Sequence, residues 1–299
     1  MKLTTKVFII LSLFQSISLA QDFNLFRLTS FGDPHQMRNM ISMSEVYPLS
    51  PHPDSAAIPE LKEMNASEIA YFTLNAEYRT RFLDGTNTSE NDTIFIYDYV
   101  NNSLSTIPVS LAKLVAMLSP YEIGGKYELT QHEYMIGFEV DELLLNQGNH
   151  DEASLVYVGQ KNPFLKDKLK NIEWKEINSS EIPYTRSRQN HPEMIPEKAY
   201  TYKNEDKSYF IQNFLRYNYV WAKHLLIIDA KTKTKIIDTM LYSGEGSDFT
   251  ELDSQYTGQL FKEKPEVIFG FNYHSFGCSL IYFMDKKEQP VEVKCDNRH

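Results

Sequence analysis

The segment Ser243-Gly244-Glu245-Gly246-Ser247-Asp248 interleaves two glycines with hydroxyl and carboxylate side chains. Glycine opens backbone angles closed to other residues. Glu245 and Asp248, with Asp253 nearby, are hard oxygen donors of the kind Ca²⁺ takes. The spacing is not that of an EF-hand, and no Gly-Lys-Ser/Thr follows to make a phosphate loop. Nor is it the Gly-x-Ser-x-Gly elbow of serine hydrolases. Two readings stand: a Ca²⁺ site, the one cofactor the chain suggests, or a hairpin turn made of turn-forming residues, which is favoured.

A second constellation lies near the C-terminus. Gly270-Phe271-Asn272-Tyr273-His274-Ser275-Phe276-Gly277-Cys278 is aromatic and bracketed by glycines. Cys278 and Cys295 are the only cysteines. Between them an apolar stretch, Ser279 to Met284, runs into an Asp285–Pro290 turn, and alternation resumes at Val291. Folding that hairpin brings 278 nearly opposite 295, within disulfide reach. Tyr273, His274 and Phe276 then approach Asp296, Asn297, Arg298 and His299, a cluster suited to an anionic or sugar ligand. The competing reading is a rigid aromatic corner with a satisfied polar end.

No catalytic signature accompanies these. The histidines at 35, 52, 132, 150, 191, 224, 274 and 299 contain no i, i+4 pair and no His-Glu-x-x-His. Asp33-Pro34-His35 and His150-Asp151 set acid beside imidazole, but sequence neighbours often point apart. The cysteines form no Cys-x-x-Cys motif.

The address is written in the first twenty residues. Lys2 and Lys6 give a positive start, Val7 to Phe14 is apolar but for Ser12, and Ser18 and Ala20 put small side chains before Gln21. That is the layout of a signal peptide, 1–20. The run is too short for a bilayer span, so no stable membrane anchor is expected. The predicted localisation is exported, periplasmic or extracellular, where a disulfide persists. Asn65, Asn87, Asn91, Asn101 and Asn178 head Asn-x-Ser/Thr sequons. They mark surface loops if the path is eukaryotic; an Asn-rich composition produces them by chance otherwise.

The 299 residues carry 30 Lys plus Arg against 40 Asp plus Glu, a net charge of −10. Such a chain gains little from a phosphate backbone, so nucleic acid is excluded as a partner.

The elements that must position these groups are mainly β. After a Pro-rich, irregular 21–67 with one short strand, the region 68–177 is β-rich. Strands are predicted at 93–100, 104–109, 135–140 and 154–158. Ser110, Leu111, Leu114, Val115 and Leu118, stopped by Pro120, predict a helix over 110–119. A weaker helix is expected at 162–170. The stretch 178–198, with Pro183, Pro192 and Pro196, reads as a linker or long loop, and Arg186 and Arg188 within it would be a protease site if exposed. The region 199–299 is β-rich and ends in the disulfide hairpin. Within it Leu215, Tyr217, Tyr219 and Trp221 alternate as one half-buried strand. Ile236 to Leu241 forms the returning arm, with Lys231, Lys233 and Lys235 guarding the edge. The fold class is an antiparallel sheet assembly, sandwich-like or mixed, with one or two helices. A β-propeller is the alternative, because Asp98, Asp141, Asp229 and Asp285 each close an apolar strand.

Thirty-nine aromatic residues on β scaffolding suit protein or carbohydrate recognition. The expected function is therefore that of an exported, non-catalytic binding protein with a protein or glycan partner. A secreted hydrolase acting on carbohydrate through dispersed acidic residues is one alternative. An exported immunity or inhibitor protein is another. A carboxylate pair in an aromatic cleft would favour the hydrolase, and a shallow exposed aromatic patch the binder.

Overall fold

A computed structural model describes residues 23–31, 38–50, 52–64, 66–119, 129–141, 153–183, 194–204, 206–244, 247–274 and 278–296. The leader at 1–20, Asn65, Pro120, Arg186 and Arg188 lie outside them, as do His35 and the His150-Asp151 pair.

The first strands are β1 (Leu25–Phe26), β2 (Thr29–Phe31), β3 (Arg38–Ser42), β4 (Tyr71–Thr73), β5 (Thr93–Asp98), β6 (Ser103–Pro108), β7 (Lys113–Leu118), β8 (Tyr134–Val140) and β9 (Ser154–Gly159). Helices α1 (Ala66–Ile69) and α2 (Ala76–Gly85) fall among them. Then come β10 (Leu169–Asn171), β11 (Lys175–Ile177), β12 (Ile195–Lys203), β13 (Lys207–Arg216), β14 (Tyr219–Asp229) and β15 (Lys235–Tyr242). The last are β16 (Ser247–Phe249), β17 (Tyr256–Gly258), β18 (Val267–Phe269), β19 (Asn272–His274), β20 (Cys278–Phe283) and β21 (Val291–Lys294).

They form three sheets. The first is ordered β2-β3-β8-β7-β4, and another is the meander β11-β12-β13-β14-β15. Between them an 11-stranded sheet runs β10-β17-β18-β20-β21-β1-β9-β5-β6, with β19 and β16 branching from β20. Every pairing is antiparallel except β1 with β21.

The large sheet curls on itself, and side-chain alternation shows why. Along β5, Ile94 and Ile96 face the first sheet, where they meet Leu114, Ile136, Phe138 and Phe82 of α2. Phe95 and Tyr97 face the other way and meet Phe164, Phe261, Val267 and Phe283. Leu25 and Phe26 divide in the same manner. Strands buried on both faces need a nearly continuous apolar run, and Thr-Ile-Phe-Ile-Tyr at 93–97 supplies one. On the far side, Ile268, Tyr282 and Met284 pack on Tyr209, Ile211, Leu225 and Ile227 of the meander. The layers are thus first sheet, two walls of one half-barrel, and meander. Among the described residues no propeller blades repeat. The strand-ending aspartates serve turns instead: Val100 and Asn101 N–H donate to Asp98, Lys231 and Thr232 N–H to Asp229, and Lys287 N–H to Asp285.

The predicted helix at 110–119 is a strand. Val109–Leu111 makes one 3-10 turn and Lys113–Leu118 is β7. Leu111, which opened the helical stripe, is 70% exposed. Leu114, Ala116 and Leu118 face one core, and Val115 and Met117 another, so apolar residues on both faces mimic a helical period. Residues 162–170 also form no helix. Phe164 bridges Phe261, Asp167 has φ 62°, and β10 begins at Leu169. The long helix is α2, capped by Asn75, whose side chain accepts from the Glu77 and Tyr78 N–H groups. Arg79 ties it to the β6–β7 connection by donating to the Val109 and Ala112 carbonyls.

The Pro-rich 21–67 contributes more than one strand. β3 sits inside the first sheet, and β1 lies between β21 and β9. β11 and β12 flank residues 178–194 and pair with each other, so that segment joins neighbours of one sheet. Residues 184–193 lie outside the description.

The C-terminus returns to the start. Cys278 and Cys295 are disulfide-bonded, with Cα atoms 5.5 Å apart. Beyond Cys295, the Asp296 N–H donates to Glu45 Oε1 at 2.7 Å and Ser42 Oγ donates to the Asp296 carboxylate. Lys294 lies 3.7 Å from the same Glu45. No helix among the described residues is long and apolar enough to cross a membrane.

Candidate functional site

The feature that stands out is one end of the meander. Six large apolar residues are exposed among those described, and four of them lie at this end: Tyr217 (80%), Tyr219 (50%) and Tyr242 (38%), with Ile195 (64%) on the opposite face, since it pairs with Leu215 while the neighbouring Phe214 joins the Trp221 cluster. Scattered exposed apolar residues are ordinary, but a contiguous group is not.

Local geometry brings the tyrosines together. β13 and β14 pair up to Arg216↔Tyr219, leaving Tyr217 and Asn218 as a two-residue turn. Both have positive φ, 52° and 65°, the signature of a type I′ hairpin. Asn suits such a position; a bulky Tyr does not, and the left-handed region costs an L-residue about 1–2 kcal/mol. This turn also corrects the expected continuous strand through 215–221. Leu215 and Trp221 sit on opposite arms, and period-two alternation cannot register a turn whose residues are themselves aromatic. Ile195 lies across from Leu215, and Tyr242 across from Ala222.

Trp221 anchors the patch. It packs, as Met240 does, against the buried cluster of Met194, Phe214 and Ala222, and its ring stands 5.2 Å from the Tyr242 ring. The Arg216 guanidinium lies over two rings, 4.9 Å from Trp221 and 5.2 Å from Tyr217. A planar cation held between rings is pre-organised to bond outward.

Behind the patch Lys223 is buried. Its Nζ donates to the Thr250 carbonyl at 3.3 Å and lies 4.6 Å from the Phe249 ring centre. Burial pushes its pKa down to about 8. The unfolded chain keeps that proton to about pH 10.4, so between about pH 8 and 10 it binds more protons than the folded chain. Stability therefore rises with pH across that window. Above about pH 10 the sign reverses, because burial raises the hydroxyls of Tyr71, Tyr97, Tyr134 and Tyr209 to about 12. Lys223→Met is expected to raise stability by about 1–2 kcal/mol at pH 7 and to abolish the rise between pH 8 and 10. Urea midpoints measured across that range check both.

The predicted sites fare differently. Tyr273 and Cys295 line a cavity at the mouth of the curled sheet, while Asp296 is buried in the clasp with Ser42 and Glu45. Strand pairing sets His274 opposite Cys278. Phe276, Asn297, Arg298 and His299 lie outside the described residues. Of the Ca²⁺ candidates, Glu245 lies outside as well. Asp248 accepts from Ser243 Oγ at 3.2 Å, and Asp253 from Ser254 Oγ at 2.9 Å. Gly244 and Ser247 exchange backbone hydrogen bonds of 2.8 and 2.9 Å across the loop, as in a tight hairpin. Among the described residues no group of three or more His, Cys, Asp or Glu could hold a metal.

One acid–imidazole pair was not legible in the sequence: His224 Nε2 lies 2.8 Å from Asp238, fourteen residues away. His224 is buried on the same meander face as Phe210 and Leu226, which Ile182 covers.

No protein-family model matches the chain, and neither a curated protein nor a solved structure is similar to it.

Proposed function

We propose that this is an exported, non-catalytic binding protein that holds a protein partner through the aromatic end of the β12–β15 meander. The observation that carries the reading is the exposure of Tyr217, Tyr219 and Tyr242 beside an arginine stacked on Tyr217 and Trp221. Trp, Tyr and Arg are the residue types that dominate binding energy at protein interfaces. Their rigid rings bring contact area at little entropic cost. A tyrosine kept at φ 52°, where Asn would fold better, supports a role outside folding.

Tyr217→Asn separates the two roles. It is expected to stabilise the free protein slightly while weakening partner binding about 30-fold, as loss of a hot spot of about 2 kcal/mol requires. Wild type and variant immobilised side by side, with the captured partner purified and its affinity measured for each, provide the test. Equal affinities, or a variant that binds less only because it is less stable, overturn the reading.

A further inference from the structure

Given the protein-binding reading of the meander end, on which this depends, we infer that the partner presents a carboxylate to Arg216: an Asp or Glu side chain set beside an apolar residue. The other arginines show how unusual Arg216 is. Arg38 lies 3.4 Å from Glu139, Arg79 lies 2.6 Å from Glu90, and Arg81 pairs with Glu77. Arg216 has no carboxylate partner and no hydrogen bond among the described residues, in a chain with 40 Asp plus Glu against 30 Lys plus Arg. Its guanidinium carbon lies over the Trp221 and Tyr217 rings. The Nε is enclosed without a hydrogen-bond partner, while the two Nη nitrogens at the tip are not enclosed.

Charge and geometry choose the partner's chemistry. The planar fork of a guanidinium matches the two oxygens of a carboxylate. Held on rings, it has little rotamer freedom left to lose on binding. One guanidinium balances one carboxylate. A phosphate brings nearly two charges, and β14 offers no second cation: its lysine, Lys223, is buried with Nζ donating to the Thr250 carbonyl. An ion pair at an open surface is weak, so the partner's acid needs an apolar neighbour to keep water out. The surface provides for one. Tyr219 stands directly opposite Arg216 across the hairpin, Tyr217 follows it in the turn, and Tyr242 lies beside Trp221.

The probe is a phage-displayed library of random peptides selected on the immobilised, disulfide-bonded protein. Enriched peptides are synthesised and their affinities measured. Those that lose affinity with Tyr217→Asn report the surface, and they are expected to carry Asp or Glu beside an aromatic or aliphatic residue. Replacing that acid by its amide should weaken binding about 30-fold, and so should Arg216→Gln. Combined, the two changes should cost little more than either alone. Arg216→Lys keeps the charge without the fork and should restore only part of the affinity. The amide change alters the peptide alone, so its effect owes nothing to the folding of a variant. Surface peptides without an acid, or losses that simply add, overturn the inference and leave the surface standing. If no selected peptide loses affinity with Tyr217→Asn, the surface fails and the inference with it. Self-association of the wild type in sedimentation, abolished by Arg216→Gln, assigns the acid to a second copy of this chain and also overturns it.

Discussion

Gly137→Ala is expected to lower folding stability by about 3–5 kcal/mol. Gly137 lies in β8 opposite Ser42, where the chain leaving β3 crosses close above it. The Met43 N–H donates to the Ile136 carbonyl at 2.9 Å, and the Ile136 N–H donates to Ser44 Oγ at 2.7 Å. A β-carbon on Gly137 would overlap the Ile41 carbonyl oxygen and stand 2.9 Å from both the Ile41 carbonyl carbon and Ser42 Cα. These are backbone atoms of a central strand, so no side chain can swing aside. Either β3 lifts and the first sheet loses its register, or the new methyl strains β8. Because Asp296 and Glu45 clasp the same segment, the C-terminal tail should loosen with it. Urea unfolding reports the stability loss, and hydrogen exchange at 38–46 and 294–296 reports its spread. A stability within 1 kcal/mol of wild type, on the scale of an ordinary surface change, would show that β3 and β8 do not approach in this way.

Loss of the disulfide comes next. The bond joins residues 17 apart, and closing a loop of that size is worth roughly 3 kcal/mol in the chain-entropy model. Cys278→Ala with Cys295→Ala should reduce stability by about that amount. The effect should concentrate at the cavity mouth, because Cys295 and Tyr273 both line it. Reduction of the wild-type protein should reproduce the loss. Equal melting temperatures for oxidised protein and the double variant would remove the bond from the account of how that wall is held.

The disulfide was legible in the sequence because its signals are local: two cysteines, one turn and a period-two return. The strands at 93–98 and 134–140 were legible for the same reason, as apolar runs bounded by turn residues. The strand at 113–118 was not. Burial of both its faces erases the difference between a period of 2 and one of 3.6, and Leu111 completed a helical stripe although it faces solvent. Helix α2 was missed for the opposite reason: it buries Phe82 and Leu83 alone in ten residues and is held by Asn75 and Arg79 instead of by a stripe. The aromatic end of the meander was hidden by Tyr217, which continues the alternation of Leu215 and Tyr219 while sitting in the turn. A Tyr-Asn pair carries none of the Asn-Gly signal by which such hairpins are recognised.

We propose that recognition occurs at the ring-stacked end of β13 and β14. Hydrogen–deuterium exchange of the protein with and without its captured partner reads this directly. Slowed exchange is expected at 215–221 and 240–243, with the half-barrel strands unchanged. Protection elsewhere with this hairpin end exchanging as freely as in the unbound protein would contradict it.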